Sequence, residues 1–173
     1  QLDILLYMPE AWLSFAVVNF VQLFLFIARA TYEKNLSDVP RLLMWGVLTG
    51  IPLGLLFDLI LGKSLGFYSY TLGFSALFLA FNAVISNGLF AANILLLRQV
   101  RLLQFYIWIM ILMIGYETTN LFFHMWTWEI TLHPIEFSTF LLAGYLGTAT
   151  LVAVIWHVFL GHRFFFIDTI FKK

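Results

Sequence analysis

Cysteine is absent from this chain of 173 residues, and charge is scarce, with Asp, Glu, Lys and Arg together at 10%. The first absence excludes disulfides, thiolate metal sites and a cysteine nucleophile. The second excludes a water-soluble fold, because a soluble domain carries about 25% charged residues to cover its surface. Positive charge is not in excess either: the formal net charge is zero, so there is no basic footprint for nucleic acid. Disordered linkers and low-complexity tracts are also missing. What is abundant is apolar, with 62% hydrophobic and 19% aromatic residues. Lipid must therefore solvate much of the outside.

A helix needs about 20 apolar residues to cross the hydrocarbon core. Five stretches meet that length: 11–29, 42–62, 71–97, 102–125 and 137–160. The expected fold class is an all-α integral membrane protein of one helical domain. Alternating barrel patterning is absent, and lipid cannot satisfy open backbone groups, so helices are the spans. Gln1–Ala30 lacks a basic n-region and a small-residue cleavage site and reads as a first span, not a signal peptide. The third stretch is long enough to be tilted or broken near Ser86-Asn87-Gly88. Of nine basic residues, Arg29, Lys34, Arg41, Arg98, Arg101, Arg163, Lys172 and Lys173 share one side and only Lys63 takes the other. The positive-inside rule then predicts an amino end outside and a carboxyl end in the cytoplasm of a cell membrane. Asp3, Glu10, Glu129 and Glu136 fall outside.

Within the second stretch, Gly46, Gly50, Gly54, Asp58 and Gly62 recur at four-residue steps and share a helix face. Glycines at that spacing let another helix approach closely. Pro52 is expected to kink this helix and free a carbonyl. Asn82, Ser86 and Asn93 in the third stretch, and Asn19 and Gln22 in the first, read as amides that glue helices together at about 0.6–2 kcal/mol each. Gly144, Gly147, Thr148 and Ala149 make a second close-packing surface. An oligomeric partner, identical or not, would use such glycine-rich faces.

Asp58 and Glu117 are acids inside apolar runs. A charge at the bilayer centre costs about 2.5–3.5 kcal/mol on insertion scales, and intramembrane acids mark functional sites. Both fall in the outer half of spans running from inside to outside, a placement that allows both to face one cavity open to the outer leaflet; whether they share it is a matter of helix rotation, which periodicity does not decide. Glu117, Asn120 and His124 follow i, i+3, i+7 spacing and share a face. A buried hydrogen-bond network that pins the helices is the alternative role for these groups.

The acids head an internal echo. Asp58 is followed ten residues on by Tyr68-Ser69-Tyr70, and Glu117 nine residues on by Trp126-Thr127-Trp128. Each unit runs from an acid late in an outward span, through a bend, to aromatic-x-aromatic at the surface and a returning span. The same orientation of both units, offset by about 58 residues, predicts a parallel repeat of two helices. An interfacial aromatic belt would place Trp and Tyr at the same positions.

This pattern resembles the lycopene cyclase domain, a small helical membrane family built from two such repeats. The second unit continues with Pro134-Ile135-Glu136-Phe137-Ser138-Thr139-Phe140, similar to that family's Pro-x-Glu-Glu-x-x-Phe, with Phe137 in place of the second glutamate. The first unit has no such motif and carries Leu79-Ala80-Phe81-Asn82 in the equivalent region. Gly66 to Thr71 also resembles a Gly-aromatic-x-Tyr-Thr stretch of related carotenoid-modifying membrane proteins. The resemblance covers residues 50–145. A competing likeness, over Gly54–Gly66 alone, is to the rod-shape-determining membrane proteins that scaffold cell-wall synthesis.

The first resemblance implies a carotenoid-like cyclase or isomerase with a hydrophobic isoprenoid ligand and membrane lipids as surroundings. Cyclising a polyene needs a neutral carboxylic acid aimed at a terminal double bond. The resulting cation needs aromatic faces, which attract it through cation–π contact. Asp58, Glu117 and Glu136 are the candidate proton donors and acceptors. Tyr68, Tyr70, Asn120, His124, Trp126 and Trp128 are the candidate substrate contacts, and the chemistry requires no cofactor. Bis-histidine haem ligation fails on depth, since His124 is at the opposite end from His157 and His162. His124 and His133 across one loop are a weak metal pattern. A non-catalytic scaffold or complex subunit, or a proton-coupled transport component, are the alternatives from other classes.

Overall fold

Five helices are long and apolar enough to cross a membrane, and in chain order they are the first to fifth spans: Ala11–Tyr32, Leu36–Ser64, Ala76–Leu96, Leu102–Phe123 and Pro134–Phe159. This computed structural model describes residues 9–171. Asp3, Lys172 and Lys173, which bear on the orientation, lie outside the described residues, as does the side chain of Glu10.

Each expected stretch overlaps one span, and the ends differ, most at the second span, which starts at Leu36 instead of residue 42. The third span starts at Ala76 instead of residue 71 because Ser75 is an extended N-cap whose Oγ accepts the Phe78 N–H at 3.2 Å. The fourth stops at Phe123 because His124 takes the left-handed conformation, with φ of 50°. The fifth starts early, at Pro134, a residue suited to the first helical turn. There the Glu136 carboxylate accepts the His133 N–H at 3.1 Å. The second span runs on through Pro52 as one helix. Two π-helical stretches, Asp58–Ser64 and Ala83–Asn87, widen the second and third spans. The break expected near Ser86 takes this form: the coil changes width and the helix continues.

The third span is central, with 67% of its membrane window buried against 17–39% for the others. It packs on the first, second and fifth spans, while the fourth packs on the first and fifth. The Gly46–Gly50–Gly54 stripe is the seam to the third span. A Cβ at Gly50 would lie 2.5 Å from the Asn87 carbonyl carbon, and one at Gly46 would lie 2.4 Å from the Gly88 oxygen.

One element was not expected. Tyr68–Tyr70 (β1) and Trp126–Trp128 (β2) pair antiparallel, with Tyr68 opposite Trp128, Ser69 opposite Thr127 and Tyr70 opposite Trp126. Thr71 N–H to Met125 O at 2.9 Å and Glu129 N–H to Phe67 O at 3.0 Å extend the ribbon at both ends. Strands of three residues are shorter than the four to eight over which alternation is legible.

Two apolar clusters fill the interior. One, at the ribbon end, holds Phe15, Val18, Phe78, Met125 and Trp126. The other, at the opposite end, holds Phe26, Ile94, Phe105, Trp156 and Phe164. Along the first and third spans, the buried polar residues Asn19, Gln22, Asn82 and Ser86 fall between them.

Candidate functional site: a carboxyl cavity beneath an aromatic ribbon

Asp58 begins the π-helical stretch of the second span and is 3% exposed. Its Oδ1 accepts hydrogen bonds from the Tyr68 and Tyr70 hydroxyls, both at 2.8 Å, and its Oδ2 accepts one from Asn82 Nδ2 at 2.9 Å. Residues two apart on a strand point to the same face, so one short strand delivers both tyrosines to one carboxyl. Burial raises both tyrosine hydroxyls well above their ordinary pKa, and the neighbouring Asp58 carboxyl adds to the effect. They therefore stay protonated and donate. Asn82 Nδ2 also reaches the Tyr70 oxygen, at 3.1 Å, closing the network.

Glu117, on the fourth span, is held in a parallel manner. Its Oε2 accepts from Trp128 Nε1 at 3.2 Å and its Oε1 from the Tyr145 hydroxyl at 2.9 Å. Asn120, one turn on, is buried and grips the Trp126 backbone from both sides. Its Nδ2 donates to the Trp126 carbonyl and its Oδ1 accepts the Trp126 N–H, each at 2.9 Å. Asn120 thus sets β2 in place and leaves the rings to face the interior.

A cavity of about 210 Å³ lies among these groups. Every span contributes to its wall, through Gln22, Asp58, Asn82, Tyr116 and Tyr145 in chain order, and the ribbon adds Tyr68, Tyr70, Trp126 and Trp128. Glu117 is one layer behind: its two partners, Trp128 and Tyr145, are on the wall. The rings make edge contacts, Tyr68 to Trp128 across the ribbon at 5.4 Å and Tyr68 to Tyr70 along one strand at 5.4 Å.

Asp58 and all four ribbon aromatics therefore meet at one cavity, with Glu117 behind it and Asn120 in support. Two expected residues are elsewhere. His124 leaves the helical face it was expected to share, because its left-handed backbone ends the helix, and its side chain is exposed. Glu136 is exposed at the start of the fifth span, where it caps the His133 N–H. Two further residues belong to the site without a sequence signal that marked them for it. Asn82 reads as glue between helices but is an Asp58 ligand. Tyr145 is the other, and its one clue is that a tyrosine deep in an apolar helix has a hydroxyl that needs a partner.

Family models, curated proteins and solved structures offer no match to this chain. The functional reading therefore rests on the geometry of the site.

Proposed function

We propose that this membrane protein binds one end of a polyene or related isoprenoid chain in the cavity and protonates a double bond from Asp58. The supporting observation is that a buried carboxyl from a membrane-crossing helix and four aromatic rings of the ribbon beyond it line one cavity. Oδ1 is filled by two hydroxyl donors, while among the described residues Oδ2 accepts from Asn82 alone, and there we place the transferable proton. The proton adds to one alkene carbon, and the alkene's electron pair forms the new C–H bond. The neighbouring carbon becomes a cation, which aromatic faces stabilise without quenching it. A second double bond of the same chain closes on that cation to form the ring C–C bond. Loss of a proton from an adjacent carbon back to Asp58 restores a double bond and the acid. The net change is an isomerisation with no oxidant or reductant.

Glu117 acts as a positioning residue, since its carboxyl fixes the Trp128 indole and the Tyr145 hydroxyl on the cavity wall. We read the two units as a parallel repeat, each acid bonded to an aromatic of its own ribbon strand and to one residue of the following span. Ser69 and Thr127, the equivalent residues, face each other at the ribbon centre. By the positive-inside rule we put the ribbon outside, since Arg29, Arg41, Arg98, Arg101 and Arg163 all belong to the other end.

A second reading, a non-catalytic subunit of a larger membrane complex, is favoured by the fifth span, where a Cβ at Gly147 would meet no atom of the described residues within 4 Å. Polyene extraction from lycopene-making cells that express the native chain, Asp58→Asn or Glu117→Gln separates the two. A positioned general acid contributes about 10²–10⁴ in rate, so Asp58→Asn should abolish detectable conversion, with Glu117→Gln reducing it less. An identical polyene profile in all cells, with none bound to purified protein, would leave the complex subunit as the function.

A further inference from the structure

Part of the cavity wall is exposed on the outside of the helix bundle. Gly144 lines the cavity and is also exposed on the fifth span. A Cβ there would meet no atom of the described residues within 4 Å. From the second span, Phe57 and Leu61 likewise line the cavity and stay half-exposed.

The second and fifth spans both lean mainly on the third. Two ties join them. Toward the end away from the ribbon, Trp156 Nε1 donates to Thr49 Oγ1 at 2.7 Å. Toward the ribbon, the Phe67 ring meets the Phe140 ring at 6.1 Å. Gly144 falls between these ties, in a stretch of the fifth span about 24 Å long at the α-helical rise. The gap is bounded by membrane-crossing helices, so it faces lipid tails.

We propose that this gap is a lateral window, through which the end of an isoprenoid hydrocarbon chain passes from the bilayer to Asp58. The choice of ligand rests on the proposed polyene chemistry, whereas the route rests on geometry alone. A cavity of about 210 Å³ is smaller than the roughly 300–1,000 Å³ of pockets that enclose a whole drug-sized ligand. A long chain is therefore held by one end, with the remainder in lipid between the second and fifth spans. Gly144 borders the opening, and the open space around a Cβ there leaves room for a larger side chain to narrow it.

Photolabelling tests this in vesicles that hold the full chain and a diazirine-tagged isoprenoid hydrocarbon, with labelled residues located by mass spectrometry. Leu112 lines the cavity and is 2% exposed, whereas Leu103 on the same span is 70% exposed to the surroundings. In the native chain both should be labelled. Gly144→Leu should bring Leu112 labelling to background and leave Leu103 unchanged. Gly147→Leu, also in open space but outside the cavity wall, should leave both unchanged and serves as the folded control. An unlabelled Leu112 in the native chain, or equal labelling in Gly144→Leu, would overturn the window. Labelling as expected in a protein that converts no polyene would keep the window and remove only the chemistry.

Discussion

At the residue scale, each acid survives in an apolar setting because both of its oxygens accept a hydrogen bond. Burying an unpaired polar group costs about 1–3 kcal/mol on protein scales and more for a charge. Asp58 has three donors and Glu117 two. Asn120 does the same for backbone: the ribbon needs Trp126 N–H and C=O paired, and one amide serves both. Asn120→Ala should therefore destabilise the protein by about 1–3 kcal/mol for each backbone group left unpaired, seen as a lower unfolding temperature in detergent. Asn120→Asp keeps the acceptor for the N–H and should lose less. Equal stability of Asn120→Ala and the native chain would mean that β2 is held by other contacts.

At the element scale, two pairings decide the architecture. One is the glycine seam between the second and third spans, where backbone meets backbone. A methyl group at Gly50 would lie 2.6 Å from Asn87 O as well as 2.5 Å from its carbonyl carbon, and backbone cannot rotate aside as a side chain can. Gly50→Ala should cost about 1–3 kcal/mol as overpacking, whereas Gly144→Ala, in open space, should change stability little; thermal unfolding of the two variants side by side checks both. The other pairing is the ribbon. It joins segments about 58 residues apart in the chain, with Tyr68 and Tyr70 on one strand and Trp126 and Trp128 on the other. Their role as a paired platform is invisible to periodicity, although their spacing from the acids is not.

At the scale of the whole molecule, the absence of cysteine makes the proposed orientation directly measurable. Thr127 on the ribbon and Gln99 in the connection between the third and fourth spans are both exposed. In intact cells a membrane-impermeant maleimide should label Thr127→Cys and reach Gln99→Cys only after the membrane is opened. The reverse pattern would invert the orientation and put the cavity's ribbon on the cytoplasmic side.

Composition and hydropathy settled the solvent and the number of spans, because those properties sum along the chain and need no knowledge of neighbours. The acids stood out for the same reason: a carboxyl in an apolar run is anomalous wherever the helix turns. Local signals also left the helix ends nearly readable, short of the Ser75 cap and the left-handed His124. Which acid faces the cavity was a different matter. Asp58 reaches it and Glu117 stands behind it, while Glu136 caps a helix at the surface and Asn82 and Tyr145 become carboxyl ligands. Those outcomes depend on how each span is rotated about its axis and on a strand pairing between distant segments. Only the packing of the third span against its neighbours sets them.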